Sequence, residues 1–527
     1  MKNNFRTSDL NNLIIKDKHG RKILNRFFYS RVFVTFLLIA IQIAIFVIFL
    51  VKLNSHSEYY FGSSIGLSAL FMIYLSNSKG KNEFKIAWLV PIVIFPLFGV
   101  AAYIMYHTNM GGLIYKKRFL QLGKTIQAYK NDEKSDLRKL KKYKEVQDLG
   151  NYLLTYGKFT PYEKTKVTYY NSGENFLPEL LEQLKKAENF IFIEYFIINV
   201  DECWTSILEV LKEKAKKGVT VRVMYDGLGS VTASQSSYQK FLKENGIDSH
   251  IFLPLVPFFS TQLNNRDHRK IVVIDGKIGY VGGFNVGNEY VNKGKQFKFW
   301  RDTHIRVRGE AVNELNKRFI LDWDYASDEN MGNMSMYFPS PEVVGDVGIQ
   351  IVSSGPDHME EYIKNSYMKI INNAKNYVYI QTPYLVPDSP MMEALKISAL
   401  SGVDVRIIVP GTPDHFFMEW MLSANIGLLI EYGIKIYRYG NGFIHSKTIV
   451  ADGEVCSIGT ANLDIRSFKL NFEINAFIYN ETVAKEQEKI FLDDQLKSKL
   501  VTKEEYYKRS KNLKIKESLI RLLAPIL

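Results

Sequence analysis

One eight-residue pattern occurs twice in this chain. His268-Arg269-Lys270-Ile271-Val272-Val273-Ile274-Asp275 is repeated 177 residues later as His445-Ser446-Lys447-Thr448-Ile449-Val450-Ala451-Asp452, and both fit H-x-K-x4-D. One copy would be a weak signal; two copies with matching surroundings are a strong one. Gly282 pairs with Gly459 and Asn285 with Asn462 at the same offset. The chain must therefore fold as two related halves, with a functional centre drawn from both.

The repeat extends upstream. Ala187-Glu188-Asn189-Phe190-Ile191-Phe192-Ile193-Glu194 aligns with Ala374-Lys375-Asn376-Tyr377-Val378-Tyr379-Ile380-Gln381, and Gly218-Val219-Thr220-Val221 with Gly402-Val403-Asp404-Val405. Each half alternates apolar runs of strand type with helix-like stretches, at 176–187 and 205–217, then at 359–374 and 390–400. Such alternation predicts an α/β layered fold with a buried sheet in each half. Each His/Lys pair stands at the start of a strand, at 271–274 and 448–451. Residues two apart on a strand face the same side, so both members of a pair can reach one ligand.

Charge is divided unevenly. Residues 1–150 hold 23 Lys and Arg against 9 Asp and Glu; residues 151–527 hold 45 against 46. The formal charge of +13 thus surrounds the N-terminal hydrophobic segments, where it suits anionic lipid headgroups, and nucleic acid is not an expected partner. Two cysteines, Cys203 and Cys456, imply no disulfide framework.

Residues 32–51 and 86–106 are uncharged runs of about 20 residues, long enough for a hydrocarbon core of about 30 Å. Residues 59–78 form a weaker third run, interrupted by Gly62 and Gly66. The expected layout is a basic tail (1–31), a transmembrane region (32–106) and a charged connector (107–165). Two repeated domains (166–345 and 346–510) and an amphipathic C-terminal segment (511–527) follow. Eight Lys and Arg in residues 1–31 keep the N-terminus cytoplasmic. Two spans would return the repeated domains to the cytoplasm and three would place them outside. Localisation in the cell membrane as a multi-pass protein is the expectation.

The duplicated residues suit phosphodiester chemistry. Such a site must neutralise non-bridging oxygens, supply a nucleophile and protonate a leaving oxygen. Lys270 and Lys447 supply charge, and the Asn285 and Asn462 amides can bind the same oxygens. One imidazole, of His268 or His445, can attack phosphorus while the other gives up a proton. Asp302 and Glu473 are candidates to orient the rings. Asp275 and Asp452 complete the catalytic motif, but each precedes Gly, which reads as a hairpin turn and a mainly structural role. No His, Cys or Asp cluster has metal-ligand spacing, and no metal or cofactor is expected.

The chain resembles the phospholipase D superfamily, and within it the bacterial cardiolipin synthase family. The resemblance rests on Ser353-Ser354-Gly355-Pro356-Asp357, Gln381-Thr382-Pro383-Tyr384, Gly459-Thr460-Ala461-Asn462-Leu463-Asp464-Ile465-Arg466-Ser467-Phe468 and Leu470-Asn471-Phe472-Glu473. In the first half it rests on Ile193-Glu194-Tyr195-Phe196, Arg266-Asp267-His268-Arg269-Lys270 and Trp300-Arg301-Asp302-Thr303-His304. It implies a pseudo-two-fold pair of α/β domains with the site at their seam. It also implies transphosphatidylation between two phosphatidylglycerol molecules through a phosphatidyl-histidine, with His268 as nucleophile and His445 as acid and then base. The partners are then phosphatidylglycerol, other anionic lipids and the membrane. A hydrolytic phospholipase D, a transferase using another alcohol, and a non-catalytic lipid-binding scaffold are the alternatives; oligomeric state is not legible.

Overall fold

The computed structural model describes residues 57–78, 82–107, 117–122, 147–254, 265–331, 335–340, 342–414 and 416–523, with isolated helical positions between 40 and 48. It divides into a larger unit, chiefly Tyr115–Pro254 and Asn265–Glu517, and a smaller one containing Ile15–Ile114.

In the larger unit, the first half contributes β1 (Thr165–Tyr170), β2 (Phe190–Tyr195), β3 (Thr220–Asp226), β4 (Ile247–Phe252), β5 (Lys270–Ile274), β6 (Ile278–Gly282), β7 (Trp300–Arg301) and β8 (His304–Gly309). The second contributes β9 (Gly348–Ser354), β10 (Tyr377–Gln381), β11 (Leu385–Val386), β12 (Asp404–Pro410), β13 (Lys435–Tyr439), β14 (Phe443–Ile444), β15 (Thr448–Ala451), β16 (Val455–Gly459), β17 (Leu463–Asp464), β18 (Glu473–Tyr479) and β19 (Ser498–Leu500). The first sheet runs β1-β8-β6-β5-β2-β3-β4 and the second β9-β18-β16-β15-β10-β12-β13-β19. Strand for strand the two orders coincide, with β19 added at one edge. In both sheets the middle strand (β2 or β10) is parallel to its outer neighbour and antiparallel to the strand that follows a histidine.

Burial explains the apolar runs. Every residue of β2 is buried, so Phe190-Ile191-Phe192-Ile193 has no solvent face to alternate towards. Helices cover the outer faces. Phe176, Leu180 and Leu184 recur at helical spacing on α5 (Gly173–Lys186) and pack on the first sheet beside α6 (Glu202–Lys216). The second sheet is covered by α9 (Tyr362–Asn373) and α10 (Ser389–Leu400). The inner faces share one core, where Phe192, Val273 and Val307 meet Ile351, Val450 and Ile474. Phe319 and Trp323 of α8 (Val312–Ser327) fill it, and Phe319 stacks on Phe192 at 4.6 Å between ring centroids. The two halves thus share one packed core.

Several expectations need amendment. The 86–106 run is not one continuous helix: it is split into α2 (Asn82–Ile94) and α3 (Pro96–His107) at Phe95. Pro96 disfavours helical geometry at the residue before it. Gly99 permits the tight kink, since a Cβ there would lie 2.5 Å from the Ile92 backbone. The 59–78 run forms α1 (Ser57–Asn77), which packs with α2 and α3 around Leu75, Trp88, Ile92 and Tyr103. No helix among the described residues is long and apolar enough to cross a membrane. Within the connector, α4 (Gln147–Thr155) buries Leu149 and Leu153 against the second half, so it belongs to the folded body. The basic tail 1–31 and most of 32–51 lie outside the described residues.

Candidate active site

Each histidine is delivered by a short extended segment lying against the other half. His268 N–H donates to the Phe472 carbonyl at 3.0 Å, and His445 N–H donates to the Arg301 carbonyl at 2.7 Å. Asp267 bridges to Phe472 in parallel, as β14 pairs with β7 through Phe443 with Trp300 and Ile444 with Arg301. Backbone pairing across the seam therefore fixes both rings before any side chain acts.

The side chains cross the seam as well. His268 Nδ1 lies 3.0 and 2.9 Å from the two carboxylate oxygens of Glu473, in the second half. His445, in the second half, has Nδ1 2.6 Å from Asp302 Oδ2, in the first. Both acids are fully buried and both rings nearly so. Each acid is itself held. Thr460 Oγ1 donates to Glu473 Oε2 at 2.5 Å and Asn471 Nδ2 to Oε1 at 3.2 Å. The Thr303 N–H donates to Asp302 Oδ1 at 2.7 Å. With Nδ1 committed to a carboxylate, the Nε2 atom of each ring is the one left for chemistry.

Lys270 donates from Nζ to its own histidine's carbonyl, His268 O, at 2.7 Å, and Lys447 does the same to His445 O. Both lysines are buried, each with its ammonium held at the backbone of its own histidine. Burial brings Lys270 down to about 8, opposed by the Glu473 and Asp267 carboxylates. Burial brings Lys447 down to about 7, with Asp302 opposing and the Lys270 charge adding to the fall. Burial, then the Lys270 and Lys447 charges, hold His268 well below the usual imidazole range, with His445 and Arg466 contributing. His445 falls to about 4 through burial and Lys447, against the pull of Asp302. Cations of each half thus bear on the histidine of the other, and the crossed His268–Glu473 and His445–Asp302 pairs hold both rings at the seam. Mutually repelling cations in a buried site are what an anion stabilises.

Asn285 and Asn462 are both buried and occupy equivalent positions of the repeat. Asn285 Oδ1 accepts from the Ile197 N–H at 3.2 Å, and the Asn462 amide donates to the Asp464 carboxylate. Asp275 and Asp452 stand at the opposite end of their strands from the rings, and their carboxylates engage backbone, in keeping with the structural role read from the Asp-Gly pairs. Asp275 accepts from the N–H groups of Glu188, Asn189 and Phe190 at 2.8, 2.7 and 2.8 Å. Asp452 accepts from Lys375, Asn376 and Tyr377 at 2.7, 2.9 and 2.9 Å. Both have positive φ, as do Gly276 and Gly453, which is the hairpin geometry read from the Asp-Gly pairs. Their carboxylates tie a turn to the start of the middle strand, at the far end of β5 and β15 from the rings.

Sequence reasoning named no role for Thr460, Asn471 or Arg466, although all three stand in the strings that carry the resemblance. It also missed the aromatic walls. Phe196 lies 5.1 Å from His268 between centroids, and Trp300 lies 5.2 Å from His445. Phe196 was visible as part of Ile193-Glu194-Tyr195-Phe196; no local signal tied it to a ring 72 positions away.

The model of the cardiolipin synthase, PLD-like domain matches residues 180–323 and 367–495, and a phospholipase D-nuclease N-terminal model matches residues 66–105. The chain belongs to the cardiolipin synthase family of phospholipase D-like proteins. Cardiolipin synthase 2 of Staphylococcus epidermidis is 42% identical over 88% of this chain and 96% of that protein. Cardiolipin synthase of Clostridium perfringens is 42% identical over 84% of this chain and 94% of its own length. The fold also resembles phosphatidylserine synthase of Haemophilus influenzae, with a TM-score of 0.55 and 15% identity over 73% of this chain and 97% of that one. The family places its two PLD-like segments on the two sheets described above.

Proposed function

We propose that this chain makes cardiolipin by joining two phosphatidylglycerol molecules, with release of glycerol. The observation that carries the mechanism is the crossed pairing of His268 with Glu473 and of His445 with Asp302. Each ring has Nδ1 engaged and Nε2 left over: neutral His268 turns Nε2 to phosphorus, and His445, protonated when lipid is bound, turns Nε2–H to the departing oxygen. Nε2 of His268 attacks, the phosphorus–glycerol bond breaks, and the departing oxygen takes a proton from His445. Burial favours neutral His445 in the free site; an anionic phosphate and the Asp302 carboxylate favour its protonated form once lipid is bound. Lys270 and Lys447 neutralise the non-bridging oxygens, with the Asn285 and Asn462 amides beside them. The primary hydroxyl of a second phosphatidylglycerol then gives its proton to His445 and attacks the phosphatidyl-histidine, whose P–N bond breaks. Asp302 and Glu473 keep the rings in register throughout.

The enzyme works at a membrane. The uncharged run 32–51 is long enough in sequence to anchor the chain, and α1–α3 carry the exposed apolar side chains Ile65, Leu70, Ile73 and Ile94, suited to acyl chains. Residues 166–345 and 346–510 form the two catalytic domains.

Incubation of the purified enzyme with phosphatidylglycerol vesicles, followed by lipid chromatography and glycerol measurement, tests this reading. Cardiolipin with one glycerol released per product is expected. Phosphatidic acid without cardiolipin would assign a hydrolase instead, and no product would assign a scaffold. Enzyme quenched in denaturing detergent at mildly alkaline pH, where a phosphorus–nitrogen bond persists, should carry labelled lipid on His268; label on His445 would exchange the two roles.

A further inference from the structure

The two half-sites are matched in backbone and in their His, Lys and Asn residues, yet their outer charges differ. At the 177-residue offset, Arg266, two residues before His268, corresponds to Phe443, two residues before His445. Arg466, four residues after Asn462, corresponds to Glu289, four residues after Asn285. The correspondence is structural too. Arg466 stands on the short helix α12 (Ile465–Lys469), and Glu289 stands on the 3-10 turn Asn288–Val291 in the same register. One side of the centre thus has two guanidinium groups where the other has a ring and a carboxyl.

Backbone bonds gather those arginines beside His268. The Arg466 carbonyl accepts from the Leu470 and Asn471 N–H groups at 2.8 and 3.0 Å, closing the α12 turn. The next residue, Phe472, donates its N–H to the Arg266 carbonyl at 2.9 Å and accepts from His268. Arg266 is buried, with Nη1 3.3 Å from Asp226 Oδ1. Arg466 is only partly buried. Its charge acts on His268, and its own guanidinium feels Asp464, Arg266 and Glu473. A transfer that involves a single phosphate has its charge met by Lys270 and Lys447. Joining two phospholipids brings a second phosphodiester to the site, one glycerol unit from the first.

We propose that Arg466, backed by Arg266, forms the subsite for that second phosphodiester, belonging to the acceptor lipid. This rests on the cardiolipin-forming reading above. A guanidinium fork suits two phosphate oxygens, and a partly exposed one suits a group that enters and leaves each turnover. The acceptor's hydroxyl oxygen forms the new P–O bond, the P–N bond to the phosphatidyl-histidine breaks, and the proton passes to the other imidazole. Arg466 takes no part in that exchange; it holds the acceptor's own phosphate, which stays intact.

The test sets a charged acceptor against a neutral one. Phosphatidylglycerol vesicles are supplied with added ethanol, and cardiolipin and phosphatidylethanol are measured from one reaction. Arg466→Gln should lower the ratio of cardiolipin to phosphatidylethanol about tenfold, because only one product needs a second phosphate bound. An unchanged ratio, at whatever total rate, overturns the proposal. If Arg466→Gln does not fold, Arg466→Lys decides: it keeps a charge but loses the fork, and the ratio should fall by about threefold or more, with no fall overturning the proposal. Wild-type enzyme that makes phosphatidylethanol but no cardiolipin would sink the parent reading, and this subsite with it. Cardiolipin from wild type with an unshifted ratio in the variants sinks the subsite alone.

Discussion

The His268–Glu473 and His445–Asp302 half-sites have one backbone plan and two electrostatic settings. Burial raises the Glu473 carboxyl to about 7 even though Lys270, Thr460 and Asn471 favour its charged form. Asp302 is equally buried, but His445, Lys447 and the Thr303 N–H outweigh the burial and hold it below the usual range. The buried arginines differ in origin. Beside His268, Arg269 pairs with Asp322 of α8 at 3.0 Å. Beside His445, the equivalent place is Ser446, and Arg301 from the partner strand instead meets Asp494 of α13 (Glu481–Gln495) at 2.8 Å. The two half-sites share their geometry and differ in the charge around it. A symmetric reaction would not need such a difference, whereas a nucleophile and an acid–base group do.

The largest effect should come from the rings themselves. His268→Ala and His445→Ala should each lower cardiolipin formation by roughly a thousandfold or more, with the thermal unfolding midpoint near that of wild type. Initial rates on phosphatidylglycerol vesicles and circular dichroism measure both. Near-normal turnover in either variant would break the scheme, since each imidazole is assigned a step the other cannot take over. The comparison sharpens in a burst experiment. If His268 is the nucleophile, His445→Ala retains slow formation of labelled enzyme and His268→Ala gives none.

The repeat made much of this legible. Strands after each histidine, four helices, paired sheets and the Asp-Gly turns all follow from local pattern, because a buried strand or an amphipathic helix has its own periodicity. What the pattern could not give was the exchange across the seam. Glu473 and Asp302 read as ring-orienting acids, but nothing local says that each serves the ring of the opposite half; that follows from parallel pairing at Phe472 and Arg301, 204 and 144 positions from the histidines they hold. The break at Phe95 was foreshadowed by Pro96, yet hydropathy alone joined the two helices. Helix α4 was hidden in a charged stretch because four buried residues suffice to dock it.

The acids should respond unequally to loss of charge. Asp302→Asn removes a carboxylate that is ionised at neutral pH and should cost about 100- to 10,000-fold in rate. Glu473→Gln should cost less, about ten- to a hundredfold, since near pH 7 that carboxyl is already partly protonated. Wild-type rate should therefore rise with pH across the region around 7 as Glu473 ionises. Glu473→Gln should flatten that limb, and Asp302→Asn should keep it. Stability carries the same contrast with opposite sign. Burial sets Glu473 above the roughly 4.3 of an unfolded glutamate, so the fold keeps a proton the unfolded chain has lost. Its contribution thus falls as pH rises from about 4 to about 7. Asp302 lies below its unfolded value of about 3.9, so its contribution is present above that pH and is lost as pH falls further. Urea midpoints at pH 5 and pH 8, compared between wild type and Glu473→Gln, isolate the Glu473 contribution from those of His268, His445 and Asp267, and the variant should lose less stability than wild type between the two pH values. Equal pH profiles for the two variants would erase the electrostatic distinction between the half-sites.

The smallest effect belongs to the motif's third residue. Asp275 and Asp452 each collect three backbone N–H groups, but Asp275 is buried and Asp452 is partly exposed, with two of its three bonds at the surface. Asn is the informative replacement, because it tolerates the positive φ that both positions require and keeps one acceptor oxygen. Asp275→Asn should lose about 1–3 kcal/mol of stability and Asp452→Asn about 1 kcal/mol or less, since water can replace the bonds only at the second. Turnover by the folded fraction should stay within a few fold of wild type in both. A loss as severe as that of the histidine variants, in protein that is still folded, would return these carboxylates to the chemistry; an equal stability loss at both sites would show that exposure does not separate the two turns.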